Sequence, residues 1–185
     1  MTRLSKFVLA FGLVTAMLAS PNAMAASAAE IDVRVNEAIE EFKKNVNGAD
    51  VFLQQAAGYL VFPKVYKVGV GIGGETGEGA LLIGKEVVDY YRTSSGSVGF
   101  QLGAQARSIV IVFMTEESLN QFRNSEGWKV GIDGSVALID LGAGKTIDSK
   151  NIKDPVVKFI FGSKGLMYNL TLEGSKISKL DKTDD

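Results

Sequence analysis

Apolar side chains recur every three or four positions in the first stretch of the chain that carries charges throughout. Between Glu30 and Val46 the positions in between are acidic or basic, which is typical of an amphipathic α-helix. Gly48 is a suitable stop, and Asp50 is a suitable cap for a second short helix that ends at Gly58. Such a helix can lie on a membrane, but its acid-rich first half favours packing on the domain core. The apolar positions are Ile31, Val35, Ala38, Ile39, Phe42 and Val46.

After Gly58 the pattern changes to one typical of β-strands. Six glycines between Gly69 and Gly79 exclude a helix, because each interior glycine costs about 1 kcal/mol relative to alanine. We interpret the segment as a β-hairpin that turns at residues 75–77, with glycines that permit curvature or close backbone approach. A second turn is predicted at residues 94–96.

The second half of the chain contains further strand patterns and one helix. Thr115 is a suitable N-cap for a helix that ends near Asn124, and Glu116 and Glu117 fall in its first turn, where the helix dipole favours acids. Strands are predicted at residues 87–92, 98–107, 109–114, 128–139, 156–161, 166–172 and around 177, with a loop at 142–145 and a hairpin turn at 162–165. The predicted class is α+β, a strongly curved antiparallel β-sheet or partial barrel flanked by a few α-helices. Because no linker or repeat interrupts it, we expect residues 26–185 to form a single domain.

The N-terminus has the pattern of a secretory signal peptide. Arg3 and Lys6 precede an uncharged run over residues 7–19, and residues 23–25 form a small-x-small cleavage pattern. The run has 13 residues, well short of the roughly 20 that span a bilayer as a helix. We therefore predict cleavage near Ala25 and a periplasmic or secreted protein, with a short uncleaved anchor as the weaker alternative. No cysteine follows the run, so a lipoprotein is not expected.

Composition restricts the chemistry. The 185 residues include no His and no Cys, which excludes Ser-His-Asp and Cys-His catalysis, Cys/His zinc sites and disulfides. Lys+Arg number 20 and Asp+Glu 21; cleavage after Ala25 removes two bases and gives 18 − 21 = −3. No nucleic-acid partner is expected from such a balance. An enzyme would depend on carboxylates, and Glu75, Glu78 and Asp89 near the glycine-rich segment are the candidates for a hydrolase.

Two glycine motifs resemble nucleotide-binding loops only in part. Residues 69–74 match G-x-G-x-x-G, but another strand follows where the dinucleotide-binding motif requires a helix. Residues 142–146 resemble the end of a Walker A loop, but Ile139 stands where that motif requires its first glycine. We therefore predict no nucleotide, cofactor or metal.

Basic residues at predicted strand ends and turns are the candidate lipid contacts. Lys64 and Lys67 flank Tyr66 directly after Pro63, an arrangement that suits a lipid phosphate with the aromatic ring at headgroup depth. The full set of candidates is Lys64, Tyr66, Lys67, Lys85, Arg107 and Lys164.

Several glycine-punctuated blocks resemble the SYLF domain family, in the same order and across about residues 30 to 180. They are residues 56–65, 69–74, 77–79, 99–105 and 163–166. The resemblance implies a phospholipid-binding module, which in eukaryotic relatives is attached to SH3 or FYVE domains and linked to phosphoinositides and actin. In bacteria it implies a stand-alone exported protein. It supplies no catalytic residue set.

These observations lead to one main hypothesis and two alternatives. The main hypothesis is a non-enzymatic, exported domain that binds phospholipid at a membrane surface or carries lipid in the cell envelope. The first alternative is a carboxylate-based envelope hydrolase. The second is an envelope scaffold or stress protein that binds protein rather than lipid.

Overall fold

A computed structural model describes residues 26–140, 153–167 and 175–182; the predicted signal peptide and the loop at 142–145 lie outside them. Within these ranges the chain forms three helices and six strands. The helices are α1 (Ala28–Asn45), α2 (Ala49–Gln55) and α3 (Glu116–Arg123). The strands are β1 (Gly58–Ile83), β2 (Glu86–Phe113), β3 (Trp128–Lys129), β4 (Val136–Asp140), β5 (Val156–Met167) and β6 (Lys176–Leu180). The predicted α+β class is confirmed.

One long hairpin forms most of the sheet. Strands β1 and β2 pair antiparallel from Ile83 with Glu86 to Gly58 with Phe113, and Gly84 enters the connecting turn with a φ of +63°. The turns predicted at residues 75–77 and 94–96 are therefore wrong, because both segments lie inside these strands. The glycines correctly predict that the sheet is curved, but they do not mark a point at which the chain reverses.

The hairpin curls into a half-barrel because β1 folds against itself. A Cβ atom on Gly77 would lie 2.7 Å from the carbonyl oxygen of Lys64, and one on Gly79 would overlap that of Val61. Only glycine permits two backbones to approach this closely. The strongly curved sheet predicted from the glycines is thus confirmed, and glycine is required where the two halves of β1 meet.

Shorter strands extend both ends of the curled hairpin. Strand β5 pairs with the second half of β2 and β6 with the first half, while β3 pairs with β6. Strand β4 pairs parallel with β5, the one exception to the antiparallel arrangement among the described strands. The strand predicted at 128–139 is wrong in the middle, where a turn separates β3 from β4. The turn predicted at 162–165 is also wrong, because β5 continues through it.

The sheet has a hydrophobic core on each face. On the outer face α1 and α2 cover Val61, Val110 and Phe159. On the inner face α3 and Trp128 close over Leu60, Phe62 and Ile111. The cap predicted at Thr115 is confirmed, since its hydroxyl accepts a hydrogen bond from the Ser118 amide. Helix α1 begins two residues before the predicted Glu30, at a capping box formed by Ser27. The predicted cap at Asp50 is wrong, because α2 already begins at Ala49 after Gly48, and α2 ends at Gln55 rather than at Gly58. Among the described residues there is no helix with the length and apolar character needed to cross a bilayer.

Candidate functional site: a basic cleft between α1 and the sheet

Two β-bulges shape the outer face of the sheet beside α1. Between Phe62 and Val65, β1 inserts Pro63 and Lys64 opposite the single residue Ser108 of β2. Proline is tolerated there because a bulge requires no amide donor. The Ser108 hydroxyl donates a hydrogen bond of 3.0 Å to the carbonyl oxygen of Pro63 and fixes the first bulge. On the other side of β2, β5 inserts Gly162 and its neighbour opposite one residue, and Gly162 has a φ of +63°.

These bulges border a cleft of about 420 Å³ between α1 and the sheet. Four of the six predicted lipid contacts line it together, although three different strands contribute them. The charged and aromatic lining residues are Arg34, Glu37 and Glu41 from α1, Lys64 and Tyr66 from β1, Arg107 from β2 and Lys164 from β5.

Sheet register explains why these distant residues meet. Tyr66 lies opposite Ala106, and Ala106 lies opposite Lys164, so the three share one rung and one face of the sheet. The ammonium of Lys64 lies 5.5 Å from the centre of the Tyr66 ring, within the range of a cation–π interaction. The cleft therefore combines an aromatic ring with two lysine side chains, those of Lys64 and Lys164.

A second depression, of about 370 Å³, continues the cleft along β1. Arg34, Lys64 and Tyr66 line both. Arg92 also lines the second one, but its guanidinium is paired with Glu78 at 2.6 Å. Burial alone would raise the pKa of Glu78; hydrogen bonds from Arg92 and Lys182 outweigh it and hold the pKa below its usual value. The positive charge of Arg92 is thus already compensated within the protein.

An exposed apolar row lies next to the cleft. Tyr66 and Val68 share the outer face of β1, and they are 52% and 56% exposed. Ile72 follows beyond a further irregularity in the strand and is 73% exposed. Isolated apolar residues are common on protein surfaces, but three along one strand beside a basic cleft form a surface of mixed character.

The structure separates the two remaining candidates from the cleft. Lys67 follows Tyr66 directly, so it points to the opposite face, where it is 3% exposed. Lys85 lies in the exposed turn at the far end of the β1–β2 hairpin. The prediction missed Arg34. Arg34 lies between Ile31 and Ala38, which are both on the buried stripe of α1. This spacing could have predicted that Arg34 lies at the edge of the packed face.

A small charged cluster lies on the inner face, behind the cleft. Arg107 pairs with Glu75, whose side chain is 3% exposed, and the Nε atom of Arg107 is buried without a hydrogen-bond partner. Lys158 of β5 is 7% exposed. Burial lowers the pKa of Lys158 to about 8; the negative charge of Glu75 works against this and the positive charge of Arg107 adds to it.

The three carboxylates of the hydrolase alternative do not form a catalytic pair. Glu75 faces the inner cluster, and Glu78, three residues along the same strand, lies on the other face. Asp89 lies opposite Leu81, six ladder positions from Glu75. It is paired with Arg123 at 3.5 Å and with Lys179 at 2.5 Å. Within the described residues no three acidic side chains converge in a metal-binding arrangement. The geometry therefore offers the hydrolase alternative no support.

Comparison with known proteins supplies a family relationship. The family model described as "Ysc84: Las17-binding protein actin regulator" matches residues 94–185. No curated protein matches the chain. The matched residues include Arg107 and Lys164 of the cleft, while Arg34, Lys64 and Tyr66 precede the match.

Proposed function

Because this chain belongs to the Ysc84, or SYLF, family through residues 94–185, we propose that it binds phospholipid at a membrane surface and is not an enzyme. The family is one of binding domains that contact lipids or regulate actin. Phospholipid as the partner of this chain is the finer proposal, and the cleft between α1 and the sheet supports it.

One observation carries the proposal: Arg34, Lys64 and Lys164 converge around Tyr66 in a single cleft. Guanidinium and ammonium groups are the side chains that hold phosphate oxygens, and a tyrosine ring suits the depth of the headgroups. Each lysine or arginine near an anionic bilayer contributes about 1 kcal/mol of attraction. Glu37 and Glu41 on the helix side of the cleft can meet the amine of a zwitterionic headgroup.

The apolar row extends this cleft into an attachment surface. With the headgroup held near Tyr66, Val68 and Ile72 on the same strand face the bilayer. Burying their exposed area would stabilise the complex by about 25 cal/mol per Å² of apolar surface. Cations and apolar side chains side by side are the combination that peripheral membrane proteins use, because neither alone gives stable binding.

Vesicle co-sedimentation tests the proposal. Native protein should pellet with vesicles that contain phosphatidylglycerol or phosphatidylethanolamine and remain in solution without them. The double variant Lys64→Glu/Lys164→Glu should lose most of this binding. Lys85→Glu is the matched control, because it makes the same kind of charge change at an exposed site away from the cleft. Equal pelleting of native protein with and without vesicles would refute phospholipid binding.

A second pair of variants separates membrane attachment from capture of a headgroup alone. Ile72→Ser removes the most exposed member of the apolar row, and Ile132→Ser removes an isoleucine that is 72% exposed elsewhere. Only Ile72→Ser should weaken pelleting. If neither has an effect while the lysine variants do, the cleft binds headgroups without insertion. If the native protein pellets with none of the vesicles, the result favours the scaffold alternative, in which the partner is a protein. The family description names a protein partner.

Export remains part of the proposal. Cleavage after Ala25 would retain two contacts of the fold: Ser27 caps α1, and the carbonyl oxygen of Ala26 accepts a hydrogen bond from Lys182 at 2.6 Å. The intact mass of the protein recovered from a secreting cell tests this: it should correspond to a chain that begins at Ala26, and recovery of the full chain would contradict it.

A further inference from the structure

Two glutamates of α1 share the cleft with the basic residues that are proposed to hold phosphate. They are Glu37 and Glu41, and the basic residues are Arg34, Lys64 and Lys164. Among the described residues, none of these side chains takes part in an ion pair. Every nitrogen of the three bases is therefore more than 4.0 Å from either carboxylate. The cleft thus contains opposite charges that do not neutralise each other by contact.

The carboxylate of Glu41 lies against the sheet at the β5 bulge. A Cβ atom on Gly162 would lie 3.0 Å from Glu41 Oε1 and 3.6 Å from Ser108 Oγ. The φ of Gly162 is +63°, a conformation that favours glycine over residues with a side chain. The bulge therefore leaves room for a carboxylate at this end of the cleft, and Glu41 is partly buried there.

The basic and acidic groups occupy different ends of the cleft. Arg34, Lys64 and Tyr66 also line the second depression, which continues along β1, whereas Glu37 and Glu41 line the first depression and not the second. Arg34 and Glu41 are seven positions apart on α1, which is about 10 Å along the helix axis. The basic end thus lies beside the apolar row that begins at Tyr66, and the acidic end lies beside the β5 bulge.

We propose that the cleft recognises a phosphate that an ethylene link joins to a primary ammonium, the headgroup of phosphatidylethanolamine. This inference rests on the proposed phospholipid binding and adds the headgroup class. The phosphate binds at the basic end, among Arg34, Lys64 and Lys164, and the ammonium donates hydrogen bonds to the carboxylates of Glu37 and Glu41. In a phospholipid the phosphate lies nearer to the acyl chains than the amine does. This orientation therefore directs the acyl chains toward the apolar row.

Two other common headgroups lack what the acidic end requires. The glycerol of phosphatidylglycerol is uncharged, so Glu37 and Glu41 gain no ionic partner and repel its phosphate. The quaternary ammonium of phosphatidylcholine has the positive charge but no N–H donor. Hydrogen bonds to charged groups contribute more to binding than those between neutral groups. Glu37 and Glu41 are therefore the residues that determine the headgroup preference.

Co-sedimentation with mixed vesicles tests this preference. The vesicles are phosphatidylcholine alone, and phosphatidylcholine with an equal fraction of either phosphatidylethanolamine or phosphatidylglycerol. Native protein should bind the vesicles with phosphatidylethanolamine about tenfold more tightly than phosphatidylcholine alone. The double variant Glu37→Gln/Glu41→Gln should lose this preference. It should also bind the vesicles with phosphatidylglycerol more tightly than native protein does, because two negative charges leave the cleft.

Glu40→Gln/Glu86→Gln is the matched control, because it removes the same number of charges at exposed positions outside the cleft. Glu40 lies next to Glu41 on α1 but is paired with Lys43 at 2.8 Å. This control variant should keep the preference of native protein for phosphatidylethanolamine. Loss of the preference in the control variant would mean that net charge, rather than the two carboxylates of the cleft, determines it.

A soluble probe separates headgroup recognition from the effect of phosphatidylethanolamine on bilayer packing. Glycerophosphoethanolamine contains the phosphate and the primary ammonium without acyl chains. It should release native protein from vesicles with phosphatidylethanolamine, and glycerophosphocholine at the same concentration should release much less. Equal release by the two probes would overturn the proposal.

The two proposals fail separately. Native protein that pellets equally with all three vesicles would overturn amine recognition and leave phospholipid binding intact. The same conclusion follows if Glu37→Gln/Glu41→Gln keeps the preference of native protein. A double variant that loses binding to every vesicle would also overturn amine recognition, because removal of the two charges should strengthen binding to phosphatidylglycerol. Native protein that pellets with none of the vesicles would refute both proposals.

Discussion

Gly79 lies against the backbone of Val61, although both residues belong to the same strand. A Cβ atom on Gly79 would overlap the carbonyl oxygen of Val61. Strand β1 therefore packs on itself eighteen positions apart, and this contact, with the neighbouring one at Gly77, sets the curvature of the sheet. The outer cleft and the inner cluster both depend on that curvature, because it brings Glu75 back to Arg107.

The first prediction concerns this contact. Gly79→Ala should lower the free energy of unfolding by about 1–3 kcal/mol, since the added methyl group has no room and the backbone must shift. Gly96→Ala is the matched control: it lies in the same hairpin, and a Cβ atom there meets nothing within 4 Å. Urea denaturation should show Gly96→Ala to be neutral or slightly more stable. Equal stability of the two variants would mean that the half-barrel opens at little cost.

The second prediction concerns Glu78, which joins β1 to Arg92 and to Lys182 near the C-terminus at 2.6 and 3.1 Å. Its pKa is lowered in the folded state, so its stabilising contribution is present above the usual carboxyl pKa and is lost as the pH falls through the folded value. Glu78→Gln should cost about 1 kcal/mol at pH 7 and little at acidic pH.

Glu40→Gln is the control for Glu78→Gln, because Glu40 also pairs with a lysine but on an exposed helix surface. Chemical denaturation of both variants from pH 7 down to pH 3 measures the difference. The interpretation fails if Glu40→Gln costs as much as Glu78→Gln at pH 7.

The third prediction concerns Lys158 and the pH dependence of stability. Its pKa is about 8 in the folded protein and 10.5 without burial, so between these values the unfolded chain binds more protons. Stability should therefore rise with pH across that window, by up to about 3 kcal/mol, and the penalty is fully present below pH 8. Lys158→Met should remove the rise. Tyr91 acts in the opposite direction only above pH 10, because burial raises its pKa to about 12.

Lys153→Met is the control for Lys158→Met, because it removes an exposed lysine. The native protein and Lys153→Met should show the rise between pH 8 and pH 10 in chemical denaturation, and Lys158→Met should not. A flat profile in native protein would mean that the ammonium of Lys158 reaches solvent when charged.

Local patterns predicted α1 and α3 well, because apolar spacing and a capping side chain are properties of the segment itself. The apolar spacing of α1 and the Thr115 cap of α3 both led to the correct element. The same approach misplaced the hairpin turn, since glycines at residues 74, 77 and 79 indicate a turn as readily as they indicate a close contact with a distant strand. That contact involves Val61 and cannot be read from neighbouring residues.

For the candidate site, too, the sequence predicted some features and not others. Residue type alone selected Lys64, Tyr66, Arg107 and Lys164, and sheet register brought them together. Lys67 was selected for the same reason but lies on the inner face. The alternation of side chains along the strand could have predicted this position, because Lys67 must share a face with the apolar Val65. The bulges that open the cleft could not be predicted, since a bulge is defined only by the residues opposite it on another strand.

The family match and the hairpin have different boundaries, with a consequence for folding. The match begins at Ser94, inside β2, whereas the register partners of β2 on β1 all precede it. A protein cut at Ser94 would expose the unpaired backbone edge of residues 94–113 and the apolar side chains that α1 covers. Such edges promote self-association. The residues matched by the family model are thus only part of the folded domain, in which β1 pairs with them and α1 covers their apolar face.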